Sequence, residues 1–274
     1  MTHIRTGTLK VPGATLRYER RGSGPLLLLI PGGGADAGLF EGMAPALAAR
    51  YTVVSYDPRA LSRSPLDGPL ADQRVEVWSD DAYRLLELLS PHEPAYVFGC
   101  SSGAIVALDL LARHPGRLRR VVAHEPPLVE VLEDPAPHRR LFAEVRGTFR
   151  ERGAEAAMAH FAEGLGERPA ERATELPADI AEMLPRMLAN IPVFLEHVLC
   201  PFTATVPDVT ALRGSADRLL LAAGRDSRQA APLYGPAARL AELLGSELVE
   251  FPGGHVGCTE HPKEYAEKLA ALLV

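Results

Sequence analysis

The stretch AYVFGCSSGAIVALDLLAR at residues 95–113 is the strongest indication of the fold of this chain. Its first four residues are typical of a buried strand, and the apolar run after Gly103 predicts a helix that ends at His114 and Pro115. Between them stands the pattern G-x-S-x-G, which places a serine in a strained turn when a strand precedes it and a helix follows it. The stretch therefore predicts a strand and a buried helix joined by a turn that exposes Ser101.

Short aliphatic runs recur along the chain and are separated by segments of helical length. This alternation is typical of a mostly parallel sheet with helices on both faces. An antiparallel hairpin is predicted at residues 5–21, where the pattern alternates around Pro12 and Gly13. The further predicted strands are 26–30, 52–56, 95–98, 119–124, 218–223 and 247–251, and the predicted helices that cover them are 75–90, 101–113, 235–244 and 261–273.

Residues 128–213 contain no strand-like run and only helical segments, such as 138–152, 154–164 and 178–200. We interpret them as a helical cap inserted into a core formed by residues 1–127 and 214–274. Proline clusters at 126–127, 135–137 and 201–207 mark the predicted hinges of this cap. Periodic Met and Phe residues are usually packing residues, so only some apolar side chains of the cap should line a pocket. The candidates are Leu141, Phe142, Phe149, Met158, Phe161, Met183, Met187, Phe194 and Leu195.

Composition and charge exclude several classes of protein. The chain has 274 residues, of which 47% are hydrophobic and 23% are charged, as is usual for globular domains and unlike disordered chains. A net charge of −6 argues against a nucleic acid as partner, because such partners require a basic surface. The longest aliphatic run, residues 26–30, is far shorter than the roughly 20 residues of a membrane span.

The three cysteines, Cys100, Cys200 and Cys258, are odd in number and far apart in the sequence. This usage suits a reducing compartment better than a disulfide framework. Because the first ten residues contain no apolar signal segment, we expect a cytoplasmic protein with no membrane partner. No metal-ligand spacing is present, so we expect neither a metal nor a cofactor, and the oligomeric state, including a homodimer, stays open.

A nucleophilic serine needs a base, and the base needs an acid that orients it. Ser101 is the predicted nucleophile, since it has a glycine two residues before it and another two residues after it. His255 is the predicted base, because it follows the last strand on a glycine-rich loop. Asp226 follows the preceding strand and is the preferred acid. Glu125, directly after strand 119–124, is the alternative acid.

Two backbone N–H groups are predicted to bind an oxyanion. The N–H of Ser102 lies at the start of the predicted helix, where the helix dipole favours negative charge. The second donor is expected in the loop PGGGAD at residues 31–36, with Gly33 preferred and Gly34 next, since glycines let the backbone approach a substrate closely. His124 is a candidate for the wall of the pocket.

These features, in this order, resemble the α/β-hydrolase superfamily, and in particular its small esterase, lactonase and cofactor-free perhydrolase branch. The resemblance implies an α/β-hydrolase fold with a helical cap after the sixth strand and a catalytic triad. Two departures stand out: Pro31-Gly32 replaces the usual His-Gly, and Gly224-Arg225-Asp226 shortens the usual G-x-x-D, which keeps Glu125 open. Haloalkane dehalogenases and epoxide hydrolases are disfavoured, because those branches carry an aspartate where this chain has Ser101.

We therefore expect a serine hydrolase that cleaves a carboxylic ester or related acyl bond of a small to medium, largely apolar substrate. Lactone, thioester and carbon–carbon bond hydrolases and perhydrolases use the same groups and stay open as alternatives. A ligand-binding protein without catalysis is another class that this fold allows. The stretch GGGADA at residues 32–37, followed by Asp57, also fits a dinucleotide-binding oxidoreductase, but that interpretation leaves Ser101, Asp226 and His255 without a role.

Overall fold

The computed structural model describes residues 3–166 and 178–273, which contain one sheet of eight strands. The strands are β1 (Arg5–Val11), β2 (Ala14–Arg21), β3 (Leu26–Ile30), β4 (Thr52–Tyr56), β5 (Ala95–Cys100), β6 (Leu118–His124), β7 (Leu219–Gly224) and β8 (Leu248–Phe251). Their order across the sheet is β1-β2-β4-β3-β5-β6-β7-β8. β2 runs antiparallel to both of its neighbours, and every other pair is parallel, as the sequence predicts.

The central strands explain why their sequences are continuous apolar runs. Every residue of β3, β4 and β5 is buried, because helices cover both faces of the sheet at these positions. The predicted boundaries of the strands agree with the structure to within two residues. In parallel strands all carboxyl ends meet at one edge of the sheet, so the loops after β3, β5, β6, β7 and β8 lie along the same edge.

Helices cover the sheet and form a separate segment between β6 and β7. The helices are α1 (Ala44–Leu47), α2 (Val75–Leu89), α3 (Ser102–Arg113), α4 (Ala136–Arg152), α5 (Ala154–Gly164), α6 (Ala178–Val193), α7 (Leu199–Thr203), α8 (Val209–Arg213), α9 (Ala231–Leu244), α10 (Gly257–Glu260) and α11 (Pro262–Leu272). The buried apolar residues form two clusters, one that includes α2, α3 and α9 and one that includes α1 and α11. The two clusters correspond to the two covered faces of the sheet.

The chain between β6 and β7 contains no strand in its described residues, 128–166 and 178–213, which we call the cap segment. Residues 167–177 of the predicted cap lie outside the described residues. Phe142 and Leu195 of the cap segment belong to the same apolar cluster as Leu111 of α3, so the cap segment packs directly on the core. The division of the chain into a core and a cap domain stays a prediction.

The predicted helix 178–200 is divided in the structure. α6 ends at Val193, the residues Phe194–Val198 form a wider π-helical turn, and α7 begins at Leu199. Pro192 lies just before the wide turn and has no N–H to donate to the preceding turn of the helix, which weakens regular α-helical geometry there.

None of the described helices is long and apolar enough to cross a membrane. The longest described helix, α4, has 17 residues and carries several charged side chains. Cys100, Cys200 and Cys258 are all free thiols.

Candidate active site

Ser101 lies in the sharp turn that joins β5 to α3. Its φ of 54° and ψ of −125° fall in a region that L-residues rarely adopt and that costs about 1–3 kcal/mol. The Ser101 N–H donates to the carbonyl oxygen of His124, the last residue of β6, at 2.9 Å. The neighbouring strand thus holds the strained turn in place, and Ser101 has the geometry that the sequence predicts.

Two glycines are required here because backbone segments approach each other closely. A Cβ atom at Gly103 would meet the carbonyl oxygens of Ile30 and Pro31 in the loop after β3. A Cβ atom at Gly32 would lie 2.6 Å from the Cβ atom of Ser101. The glycine loop, residues 31–34, is therefore packed against the serine turn with no room for side chains between them.

The two predicted oxyanion donors lie side by side. Gly33 has a φ of 59°, and its N–H donates to the side-chain hydroxyl of Ser102 at 2.9 Å. Ser102 is the first residue of α3, so its own N–H has no acceptor within the helix. The structure therefore brings together Ser101, Ser102 and Gly33. In it the Gly33 N–H already has an acceptor, the Ser102 hydroxyl oxygen.

His255 follows β8 and contacts Glu125. The distance between His255 Nδ1 and Glu125 Oε2 is 2.5 Å. Because an ionised carboxylate only accepts hydrogen bonds, Nδ1–H is the donor and Nε2 is left to act as a base. The other carboxylate oxygen of Glu125 accepts the N–H of Gly224 at 2.8 Å.

The prediction that Asp226 is the acid beside His255 is wrong in this structure. β7 ends at Gly224, and a short 3₁₀ turn at Arg225–Ser227 carries Asp226 to the exposed surface. Its backbone N–H donates to the carbonyl oxygen of Gly253 at 3.1 Å. The backbone of Asp226 thus contacts the histidine loop, but His255 Nδ1 makes its hydrogen bond with Glu125 and not with the Asp226 carboxylate.

Glu125 is fully buried and has a φ of 46°, which places a second strained residue in the site. Burial raises the pKa of Glu125, but the hydrogen bond with His255, attraction to His255 and His124, and the Gly224 N–H lower it more. The net pKa lies below the ordinary value of a glutamate, so the group is ionised at neutral pH.

His124 does not line the cavity, contrary to the prediction. It is 1% exposed, and its ring packs edge-on against the rings of Phe251 and Tyr265 beneath the site. Neither ring nitrogen has a hydrogen-bond partner among the described residues. Burial lowers its pKa to about 4, so the ring is neutral at physiological pH.

A buried polar network ties helix α6 of the cap segment to the glycine loop. Asn190 Nδ2 donates to the carbonyl oxygen of Gly34 at 2.8 Å and to Ser62 Oγ at 2.8 Å, and its Oδ1 accepts the Ser62 N–H. Ser62 Oγ donates in turn to Asp36, which also forms a two-pronged ion pair with Arg186. Burial raises the pKa of Asp36, but these hydrogen bonds outweigh it, and the net pKa is lowered.

This network was not predicted from the sequence. Its members come from three separate segments, namely the loop after β3, the residue Ser62 and helix α6, and only their three-dimensional arrangement unites them. No local sequence pattern marks Ser62, which adopts a φ of 48° without being a glycine. The hydroxyl and the N–H of that residue both take part in the network, which is a reason to retain a serine in a strained conformation.

Ser101 and His255 line the same cavity, which has a volume of about 240 Å³ and lies between the cap segment and the sheet edge. The described residues that line it include no Lys, Arg, Asp or Glu. They are Gly32, Gly33, Gly34, Ala35, Leu39, Cys100, Ser101, Met158, Phe161, Ala162, Leu165, Met187, Ile191, Phe194, His255, Val256 and Cys258. Four of the nine apolar candidates of the cap, Met158, Phe161, Met187 and Phe194, line this cavity. Leu141, Phe149, Met183 and Leu195 pack elsewhere, and Phe142 lines a second, smaller cavity.

Asp57, the acid of the dinucleotide alternative, is not free to hold a ribose. Its carboxylate is buried and accepts hydrogen bonds from the Arg63 guanidinium and from the Ala37 N–H. The glycine loop is likewise occupied by its contacts with Ser101 and Ser102. The arrangement suits a nucleophilic serine and not a dinucleotide site.

Comparison with known proteins identifies the family of this chain. The model of the alpha/beta hydrolase fold family matches residues 25–165, about half of the chain. An uncharacterized hydrolase, YraK, of Bacillus subtilis is 39% identical over 282 residues, covering 98% of this chain and 96% of the relative. The chain therefore belongs to the α/β-hydrolase family and is a hydrolase.

Two further likenesses are more distant. A zearalenone hydrolase of Bionectria ochroleuca is 27% identical over 274 residues, covering 95% of this chain and 94% of the relative. A thermophilic esterase from Thermogutta terrifontis superposes with a TM-score of 0.75 at 18% identity, covering 100% of this chain and 98% of the other. At that identity the likeness shows the fold alone.

Proposed function

We propose that this hydrolase cleaves carboxylic esters through a covalent acyl-enzyme formed on Ser101. The observation that carries the proposal is the 2.5 Å contact between His255 Nδ1 and the buried Glu125, with His255 and Ser101 on one cavity. A histidine fixed in this tautomer can take a proton from a serine hydroxyl through Nε2. The proposed triad is Ser101, His255 and Glu125, with the acid differing from the one that the sequence favours.

The proposed reaction has two halves. Ser101 Oγ attacks the ester carbonyl carbon while His255 accepts the hydroxyl proton, and the carbonyl oxygen becomes an oxyanion. The C–O bond to the alcohol then breaks, and His255 delivers the proton to the departing alkoxide. Water, deprotonated by His255, attacks the acyl group, releases the acid and restores Ser101.

The N–H groups of Ser102 and Gly33 are the proposed donors to the oxyanion. The start of α3 adds the positive end of the helix dipole to this position. The Gly33 N–H must exchange the Ser102 hydroxyl for the substrate oxygen, which requires rotation of only the Ser102 side chain. Loss of one such donor typically slows catalysis by about 10²- to 10³-fold.

The cavity favours an uncharged, apolar substrate. The described residues that line it supply aliphatic, aromatic and sulfur-containing side chains but no charged group to bind an ionic substituent. Burial of a charge without a partner is costly, so charged esters should be poor substrates.

Lactone hydrolysis is the second candidate, because a relative that covers 95% of this chain is a zearalenone hydrolase. A lactone is an internal ester, and the same three residues would open its ring. Zearalenone therefore belongs in the substrate panel beside simple esters. Thioesters, activated carbon–carbon bonds and perhydrolysis complete the panel, because they use the same groups.

The first test is hydrolysis of p-nitrophenyl acetate by the wild type and by Ser101→Ala, together with a serine-directed fluorophosphonate. We expect turnover in the wild type, its loss in Ser101→Ala, and phosphonylation that peptide mass mapping places on Ser101. Folded wild-type protein that shows neither turnover on the whole panel nor labelling would instead support a ligand-binding role.

A further inference from the structure

Two cavities of very different size meet at Ser101. The larger one, described above, has a volume of about 240 Å³. The smaller one has a volume of about 20 Å³ and begins at Ser101 and Ser102. Apart from Ser101, Ser102 and Thr203, its described lining residues are all apolar, with Phe142 and Phe202 among them. A substrate bound at Ser101 therefore has two apolar spaces available.

Aromatic rings separate the two cavities. Phe161 of α5 and Phe194 of the wide turn line both cavities, and their rings meet edge to face with centroids 5.9 Å apart. Phe142 extends this aromatic group on the side of the smaller cavity, 6.2 Å from Phe161. Rings of the cap segment thus form part of the wall of the smaller cavity.

The polar groups of the smaller cavity are few. The Thr203 hydroxyl donates to the carbonyl oxygen of Leu199 at 2.8 Å, and Ser102 Oγ accepts the Gly33 N–H. The remaining hydroxyl, that of Ser101, is the proposed nucleophile, and the other described lining residues are apolar. The smaller cavity therefore suits an apolar group.

The position of His255 determines which part of an ester enters which cavity. In the acyl-transfer step the leaving oxygen must receive a proton from His255, and the carbonyl oxygen must face Ser102 N–H and Gly33 N–H. His255 and Gly33 line the larger cavity and are absent from the lining of the smaller one. The alcohol part then lies in the larger cavity, and the acyl chain points into the smaller one.

We propose that this enzyme is selective for acetate-sized esters of uncharged, apolar alcohols. A volume of about 20 Å³ is close to that of one water-sized or methyl-sized group. This assignment rests on the proposed function, since it requires Ser101 as nucleophile. In the reaction the ester consumes one water, the bond from the acetyl carbon to the alkoxy oxygen breaks, and acetic acid and the free alcohol leave.

Two isomeric esters test the assignment directly. Benzyl acetate and methyl phenylacetate have the same atoms, but the large group is on the alcohol side in the first and on the acyl side in the second. We expect kcat/KM to be at least about tenfold higher for benzyl acetate, as pockets that reject one methylene discriminate by about 10- to 200-fold. Titration of the released acid at constant pH measures both. Equal values, or a preference for methyl phenylacetate, would overturn the assignment.

A chain-length series then tests the aromatic partition. The wild type should prefer benzyl acetate to benzyl hexanoate by at least about tenfold. Phe161→Ala opens the wall between the cavities and should reduce this ratio toward one. Phe149→Ala removes the same number of atoms from α4, outside both cavities, and should keep the wild-type ratio. An unchanged ratio in Phe161→Ala, or an equal shift in both variants, contradicts the partition.

Failure of this inference is distinguishable from failure of the proposed function. Phosphonate labelling of Ser101 with turnover of both isomers, but no preference between them, refutes only the cavity assignment. Absence of labelling and of turnover refutes the proposed function itself. Thermal unfolding of both phenylalanine variants establishes that they are folded, and the isomer pair needs no variant.

Discussion

Two carboxylates follow adjacent strands of the sheet and have opposite environments. Glu125 follows β6, is fully buried and contacts His255, whereas Asp226 follows β7 and is exposed. Both come one or two residues after the end of a strand, at the same edge of the sheet. Proximity along the sequence to a strand end thus does not decide which carboxylate meets the histidine.

The direction in which the chain leaves each strand makes the difference. Glu125 turns sharply with a positive φ, and its N–H donates to the carbonyl oxygen of Ala222 in β7, which points its side chain across the sheet edge. At Gly224, β7 supplies a backbone N–H that holds the glutamate. The neighbouring strand β7 therefore holds the Glu125 carboxylate in place and does not itself provide the carboxylate that contacts His255.

The largest expected difference between the two carboxylates is in catalysis. Glu125→Gln should lower kcat by about 10³- to 10⁴-fold, because the amide no longer fixes the histidine tautomer or stabilises its protonated form. For Asp226→Asn, kcat should stay within about threefold of the wild-type value, because the side chain is exposed. Steady-state hydrolysis of p-nitrophenyl acetate by the two matched amide variants measures this. A large loss in Asp226→Asn with little change in Glu125→Gln would restore the acid favoured by the sequence.

His124, the buried neighbour of Glu125, should have its own effect on the pH dependence of stability. The pKa of His124 is lowered to about 4 by burial, so the unfolded chain binds a proton at higher pH than the folded one. Wild-type stability should therefore fall as the pH is lowered from about 6.5 to about 4, by up to about 1.4 kcal/mol per pH unit. His124→Phe, which keeps the aromatic packing, should flatten this decline, while a substitution at the exposed His92 should not.

Urea unfolding at pH 7, 6 and 5 measures the decline. If the free energy of unfolding falls equally in the wild type and in His124→Phe, the acid sensitivity of the fold comes from other groups. The free energies of unfolding measured above pH 4.5 also serve as the reference for the comparison of the wild type with Glu125→Gln.

The third and smallest effect is on stability at the two carboxylates. Glu125→Gln should lower the free energy of unfolding at pH 7 by about 1–3 kcal/mol. The glutamine amide has one acceptor oxygen, so it cannot accept the N–H groups of both His255 and Gly224 as the carboxylate does. Asp226→Asn should change it by no more than about 0.5 kcal/mol.

The pH dependence of this third effect has a definite sign. The pKa of Glu125 is lower in the folded state than its ordinary value of 4.5. Its stabilising contribution is complete above that ordinary value and disappears as the pH falls through the lowered pKa. The difference between the wild type and Glu125→Gln in urea unfolding should therefore shrink below pH 4.5. A difference that is constant down to pH 3 would mean that the charge of Glu125 does not stabilise the fold.

Much of the fold and the central site could be predicted because their signals are local. The serine turn needs glycines at fixed spacing, and a buried parallel strand needs a continuous apolar run. Local patterns of this kind predicted Ser101, the glycine loop and His255, which line one cavity in the structure.

The rest depended on contacts between distant segments. The choice of Glu125 over Asp226 follows from how the loops after β6 and β7 turn, which no spacing rule reports. The hydrogen bonds of Asn190 with Gly34 and Ser62 join residues more than 100 positions apart. The division of the cap cavities also follows from packing, because the periodic Phe and Met residues look alike in sequence whether they face a cavity or a core.

The hydrogen bonds between α6 and the glycine loop couple the position of the cap segment to that of the proposed oxyanion donors. The Gly34 carbonyl held by Asn190 is one residue from the Gly33 N–H. Any movement of α6 away from the sheet removes a restraint on the backbone of Gly33 and Gly34. A ligand that orders this backbone favours the docked position of α6, and the coupling free energy is the same in both directions. The docking of α6 and the placement of the proposed oxyanion donors are thereby thermodynamically linked, in both directions, through Asn190 and through the Arg186–Asp36 ion pair.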